Sequence, residues 1–201
     1  MGAMERFSFL LVVMVLSITQ SHADDQNVDW WSETVPYEMG MQKMTKLHFY
    51  LHENITGDYP TAVKIAEAPG ANISATGFGE LYMMDNPLTD GPDPNSRLVG
   101  RAQGLYGSSE MNELSLIMGV SLVFTGNNKF NGSTINVFTG NPITHKEREF
   151  AIVGGTGYFR HAHGFISAKT YRRRGKNAIV EYDCTIVHYY SAFNNISVIK
   201  V

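Results

Sequence analysis

Apolar and polar residues alternate with a period of two through most of this chain, the pattern of strands that bury one face. Leu47, Phe49, Leu51 and Glu53 alternate with His48, Tyr50 and His52, so a first strand from Thr45 should bury three apolar residues and end with a carboxylate on the same face. Further strands are expected at 61–68, 75–84, 97–107, 114–124, 133–138, 146–152 and 158–170. In the last strong run, 178–189, Val180, Tyr182, Cys184 and Ile186 alternate with Glu181, Asp183 and Thr185. Turn formers separate these runs, notably Asp85-Asn86-Pro87 through Asn95, Gly126-Asn127-Asn128, Gly140-Asn141-Pro142 and Gly154-Gly155-Thr156-Gly157. Residues 114–124 fit a buried helix on periodicity alone, but their length and β-rich neighbours favour a strand. The three glycines within 97–107 predict bulges or tight curvature. Eight or nine strands, short connections and no long helix predict an all-β antiparallel barrel, with a sandwich as the alternative.

The stretch 146–170 carries the sharpest chemical signal. Arg148 shares a face with Phe150 and Ile152, while Glu147, Glu149 and Ala151 share the other. A guanidinium among apolar residues is costly unless an anion or strong hydrogen bonds meet it. Arg148 is therefore either a member of a structural ion pair or part of a site. Glu53 poses the same alternative on the first strand.

Bulk composition narrows the class. The chain has 201 residues, 43% of them hydrophobic, with net charge −3 and pI ≈ 6.1. It offers no global attraction for nucleic acid or anionic lipid. Arg6, the apolar run 7–18 and Ser21-His22-Ala23 predict a signal peptide over 1–23, followed by an arm over 24–43 and one domain over 44–201. No later run reaches membrane-spanning length, so a secreted, extracellular protein is expected. In that setting the sequons at Asn54, Asn72, Asn131 and Asn195 become candidate glycosylation sites. Cys184 is the only cysteine, which excludes an internal disulfide and favours a small buried hydrophobe.

Other motifs carry less. Gly154-Gly155-Thr156-Gly157 lacks the following helix that a dinucleotide loop needs, so a tight turn is expected. His161 and His163, read as i, i+2 on one strand, face one way, but no further ligand completes a metal set. Neither metal nor cofactor is expected. The run Arg172-Arg173-Arg174-Gly175-Lys176 is read as a solvated hairpin tip.

Four segments together carry a family resemblance: Leu51-His52-Glu53, Asp85-Asn86-Pro87-Leu88-Thr89, Leu98 through Tyr106, and Val153-Gly154-Gly155-Thr156-Gly157-Tyr158-Phe159. In these the chain resembles the plant dirigent proteins. The resemblance implies an eight-stranded antiparallel barrel of the type shared with allene oxide cyclases, a homo-oligomer (a trimer, or else a dimer) and export to the apoplast. It places the family's pocket aspartate at Glu53, its tyrosine at Tyr106, its arginine at Arg148 and its threonine at Thr170. Its second aspartate falls on Asn141, and an aromatic of lignan-forming members falls on Val180. Both are departures, and the Asn-Pro pair is similar to the branch that includes pterocarpan synthases.

The resemblance implies a barrel that imparts stereoselectivity on coupling of phenoxy radicals supplied by a separate oxidase, a laccase or peroxidase, in lignan-type phenylpropanoid synthesis. One alternative is a dehydratase and cyclase, without a cofactor, that takes a phenolic alcohol through a quinone methide. Another is a non-catalytic module that binds cell-wall material.

Overall fold

Nine strands form in the computed structural model, which describes residues 31, 32, 34 and 36–189. They are β1 (Gln42–Glu53), β2 (Ala62–Glu67), β3 (Glu80–Thr89), β4 (Leu98–Ser108), β5 (Ser115–Phe124), β6 (Thr134–Pro142), β7 (Glu147–Thr156), β8 (His163–Arg174) and β9 (Asn177–Tyr189). Neighbours run antiparallel in the order β1-β9-β8-β7-β6-β5-β4-β3-β2. The ring closes where β1 meets β3 at Tyr50↔Thr89 and Leu51↔Leu88. β2 covers the rest of that edge of β3. The result is an eight-stranded antiparallel barrel with β2 as an added strand. The sandwich alternative is excluded, because closure leaves no second layer.

Inward positions of every long strand fill the interior. Phe49, Leu122, Ile135, Phe150, Phe159, Ile166 and Ile186 are buried, and Cys184 lies among them on β9. β4 curves where its glycines meet β5: a Cβ on Gly104 would fall on the carbonyl oxygen of Gly119.

Several element boundaries differ from the sequence reading. β1 starts at Gln42, three residues before Thr45. Its outward Tyr50 and His52 are also buried, since Tyr50 packs on Tyr171 (5.6 Å between rings) and His52 Nε2 lies 2.6 Å from Thr89 Oγ1. β3 runs over 80–89 rather than 75–84, so Asp85-Asn86-Pro87 is strand, not loop. Pro87 is tolerated there for a physical reason. The Asp85 N–H donates to Thr61 O, and two residues later the Pro87 nitrogen faces the same edge, between the end of the β2 pairing and the start of the β1 pairing. Likewise β6 continues through Gly140-Asn141-Pro142.

The glycine segment is a strand end rather than a simple turn. β7 continues to Thr156, and a Cβ on Gly155 would lie 2.5 Å from Phe159 O and 2.7 Å from Thr134 O. Gly157, at φ 59, then starts a one-turn 3-10 segment, Gly157–Phe159. Its glycines serve close packing and chain reversal. His161 falls in the turn that follows, at φ 58, so it shares no strand with His163, the first residue of β8.

Candidate functional site

One end of the barrel holds a cavity of about 390 Å³. Its floor is apolar, with Leu51, Met84, Met118, Phe150 and Ile166 among its walls. All six residues singled out from the sequence also line it: Glu53 from β1, Tyr106 from β4, Asn141 from β6, Arg148 from β7, Thr170 from β8 and Val180 from β9. They converge because each occupies an inward position near the same end of its strand. Thr170 faces Val180 directly across the β8–β9 ladder.

Arg148 is buried, and among the described residues no carboxylate pairs with it. Its Nη1 donates to Asn141 Oδ1 (3.1 Å) and its Nη2 to Thr170 Oγ1 (2.9 Å). Nε has no partner. The ion pair considered from the sequence, Glu53 with Arg148, is therefore not formed. Burial lowers the guanidinium pKa from its ordinary value, yet arginine keeps its charge in proteins. The pocket thus contains a positive charge held by two neutral oxygens, with Nε the one guanidinium nitrogen that has no partner. Both polar atoms of Asn141 are engaged, since its Nδ2 donates to Met118 Sδ (3.2 Å). An aspartate at 141 would have neutralised Arg148; the amide leaves its charge available.

Glu53 lies across the cavity. Burial raises its carboxyl pKa above the usual range, partly offset by the nearby Tyr106 hydroxyl, the Asn86 amide and the charge of Arg173. These groups bias the carboxyl, but neither Tyr106 Oη nor Asn86 Nδ2 completes a hydrogen bond of proper geometry. Burial and the Glu53 charge also push the Tyr106 phenol up. Its ring stacks on Tyr82 at 5.2 Å and 7°. Tyr82 in turn donates to Glu80 Oε2 (2.8 Å), whose other oxygen accepts from Lys64 Nζ (2.6 Å).

Among the described residues, four buried side-chain polar atoms lack a partner, and three of them line this cavity: Tyr106 Oη, Asn86 Nδ2 and Arg148 Nε. Buried polar groups are normally satisfied. Three such orphans on residues that line one apolar space mark it as a candidate site for a ligand with oxygen atoms.

Asn86 was missed in the sequence because Pro87 marked its segment as loop. The alternation Tyr82, Met84, Asn86, Leu88 carried the signal. The basic tip is also more than solvated, since Arg173 and Lys176 reach the cavity rim. Exposed Asn54, Asn72 and Asn131 leave their sequons accessible, while Asn195 and the 1–23 segment lie outside the described residues. Burial raises the Cys184 thiol pKa, which suits a packing role. Outside the cavity, His48, Asp183 and Glu181 gather on the outer face, with His48 Nδ1 2.7 Å from Asp183 Oδ1.

Comparisons with known proteins give the family and agree with the barrel fold. The family model for dirigent-like proteins matches residues 44–187. The chain is 44% identical to dirigent protein 11 of Arabidopsis thaliana over 89% of each chain. It is 43% identical to pterocarpan synthase 1 of Glycyrrhiza echinata, covering 80% of this chain and 87% of that one. The solved structure of the pterocarpan synthase dirigent protein GePTS1 superposes with a TM-score of 0.73 at 41% identity, over 79% of this chain and 99% of the other.

Proposed function

The chain belongs to the dirigent-like protein family, and from that premise we propose that its barrel is a dehydratase and cyclase for a phenolic alcohol. The observation that carries this reading is the pairing of a carboxyl whose burial favours its protonated form, Glu53, with an uncompensated guanidinium, Arg148, in one apolar cavity. Glu53 gives its proton to the benzylic hydroxyl as the C–O bond breaks and water leaves. The phenol reacts as its phenolate, held beside Arg148: electrons from its oxygen form the quinone methide as the C–O bond breaks, and when they return on ring closure Arg148 stabilises the negative charge that develops on that oxygen. A second hydroxyl then attacks the methide carbon, forming the new C–O bond, and its proton returns to Glu53. The net change is loss of one water, with no electron acceptor required. The Tyr106 hydroxyl and Asn86 amide hold the substrate's oxygens, so that one face of the methide is open to attack.

The radical-guiding reading is favoured by a different observation. The apolar floor and curated relatives called dirigent proteins suit a pocket that orients phenoxy radicals made by a separate laccase or peroxidase. Positioning alone would then set stereoselectivity, since about 1.4 kcal/mol gives a tenfold preference. Purified protein given an isoflavanol, and separately coniferyl alcohol plus an oxidase, distinguishes the two. Water loss and ring closure without oxidant, reduced by 10²- to 10⁴-fold in Glu53→Gln, is the expected result. Enantiomeric excess only in the oxidase reaction would transfer the function to radical guidance, and activity in neither would favour wall binding.

The reading includes export of a glycosylated homo-oligomer. Export and glycosylation rest on the 1–23 segment and the sequons, the oligomer on family membership, and mature extracellular protein should begin at Asp24 by N-terminal sequencing.

A further inference from the structure

We propose that the cavity rim carries a subsite for a carboxylate, formed by Arg173 and Lys176, so that the preferred phenol is an anionic one. The inference rests on the cavity being a phenol site, and it extends that reading from reaction type to substrate class.

The β8–β9 ladder supplies the placement. Thr170 pairs with Val180, and both line the cavity. The next pair is Arg172↔Ile179, so Tyr171 is an extra residue, and Arg173 then faces Ala178, another cavity-lining residue. Strict alternation from Thr170 would have sent Arg172 inward. The bulge at Tyr171 moves that position to Arg173, the kind of re-aiming for which bulges near sites are known. Arg172 stays outside with Tyr171, its guanidinium 5.9 Å from that ring, and Tyr171 packs on the outward Tyr50.

The hairpin backbone that carries these charges is anchored beside the cavity mouth. Asn177 Oδ1 accepts from the Ile55 N–H (2.9 Å), the Thr56 N–H (3.0 Å) and Thr56 Oγ1 (3.0 Å), and Asn177 Nδ2 donates to Thr56 O (3.3 Å). Arg173 and Lys176 themselves form no ion pair among the described residues. The carboxylates nearby feel these charges, Glu53 that of Arg173 and Glu80 that of Lys176, but neither forms an ion pair with them. Both oxygens of Glu80 are taken by Lys64 and Tyr82, and burial favours the neutral form of Glu53. The rim therefore presents two cations without an ion-pair partner above an apolar cavity, and a carboxylate on the far end of a phenol bound below would meet them.

The test compares coniferyl alcohol with ferulate, which share one phenolic skeleton and differ in a terminal hydroxymethyl against a carboxylate. Isothermal titration at pH 7 should show ferulate binding roughly tenfold more tightly, with an advantage that shrinks as salt is raised. Arg173→Gln with Lys176→Gln should remove that advantage, Arg173→Lys should retain most of it, and Arg172→Gln should leave it intact. Equal affinities, or an equal loss in Arg172→Gln, would overturn the subsite while leaving the phenol site standing. Binding of neither compound would also overturn the subsite, and the isoflavanol reaction then decides the phenol site on its own.

Discussion

The two ends of the barrel use the same strands and the same inward alternation for opposite purposes. Eight residues along β9 separate Val180, at the cavity, from His188, at the other end, roughly 26 Å of strand. Around His188, the rings of Phe124, Phe130, Tyr158 and Phe159 meet one another at centroid distances of 5.1 to 6.1 Å. Phe159 and His188 are fully buried, and none of these residues lines the cavity. At the cavity end, the same kind of position carries Glu53, Tyr106 and Arg148, with polar atoms left unpaired. The aromatic end is filled by its own rings and leaves one buried polar atom unpaired, His188 Nδ1, whereas the cavity end leaves three beside an open space. A fold that can close one end so tightly leaves the other open at a cost in stability, as functional sites commonly do.

This contrast can be broken by substitution. Phe159→Ala removes a ring that touches Phe124, Phe130, Tyr158 and His188, so it should cost about 3–5 kcal/mol in urea unfolding. Arg148→Leu replaces an unpaired buried charge by an apolar group and should leave stability within about 1 kcal/mol. Comparable destabilisation by the two would mean that the cavity end is structural after all. Arg148→Leu should instead lower turnover by roughly 10²- to 10³-fold, the loss typical of one group that stabilises developing charge. Full turnover in the folded variant would remove Arg148 from the mechanism.

The strands and the inward residues were legible because a period of two survives single-sequence reading. Arg148 beside Phe150 and Ile152 announced a buried charge, and the structure leaves that charge unpaired. What was not legible depended on neighbouring strands. Pro87 looked like a turn former, and only the gap between β1 and β2 makes it acceptable in β3, bringing Asn86 to the cavity. Parity also fails to pass through a bulge, so nothing local shows that Arg173 rather than Arg172 turns inward. Glycines 154–157 showed that the chain must bend or pack closely, but not against which carbonyls.

Tyr106→Phe sharpens the comparison at a smaller scale. Its hydroxyl is buried without a partner, so its removal should stabilise the empty protein by about 1 kcal/mol, seen as a higher melting transition. The same change should weaken phenol binding or turnover by roughly tenfold, because one hydrogen bond to ligand is lost. A destabilised Tyr106→Phe would show that the hydroxyl serves the fold.

The smallest effect is the response to pH, which should have opposite signs at the two ends. Burial, followed by the charges of Lys43 and Lys129, lowers the His188 pKa below its ordinary value. Its unfolded form therefore binds a proton first as pH falls through about 6.5, and stability is lost between there and the lower folded pKa. His52, also lowered by burial, adds to the same loss. Glu53 does the reverse. Its folded pKa is raised, so its contribution is fully present below the unfolded value of about 4.3 and is lost as pH rises through the folded pKa. Acidification from pH 7 should bring a loss of stability owed to the histidines and a gain owed to Glu53. Urea midpoints measured from pH 7 to pH 4 can resolve the two. His188→Gln keeps a partner for Thr45 Oγ1, which lies 2.8 Å from His188 Nε2, and should reduce the loss to the part owed to His52. Glu53→Gln should remove the gain. An unchanged profile in His188→Gln would show that the imidazole's titration is not coupled to the packing of the rings, and the aromatic end would then owe its stability to burial alone.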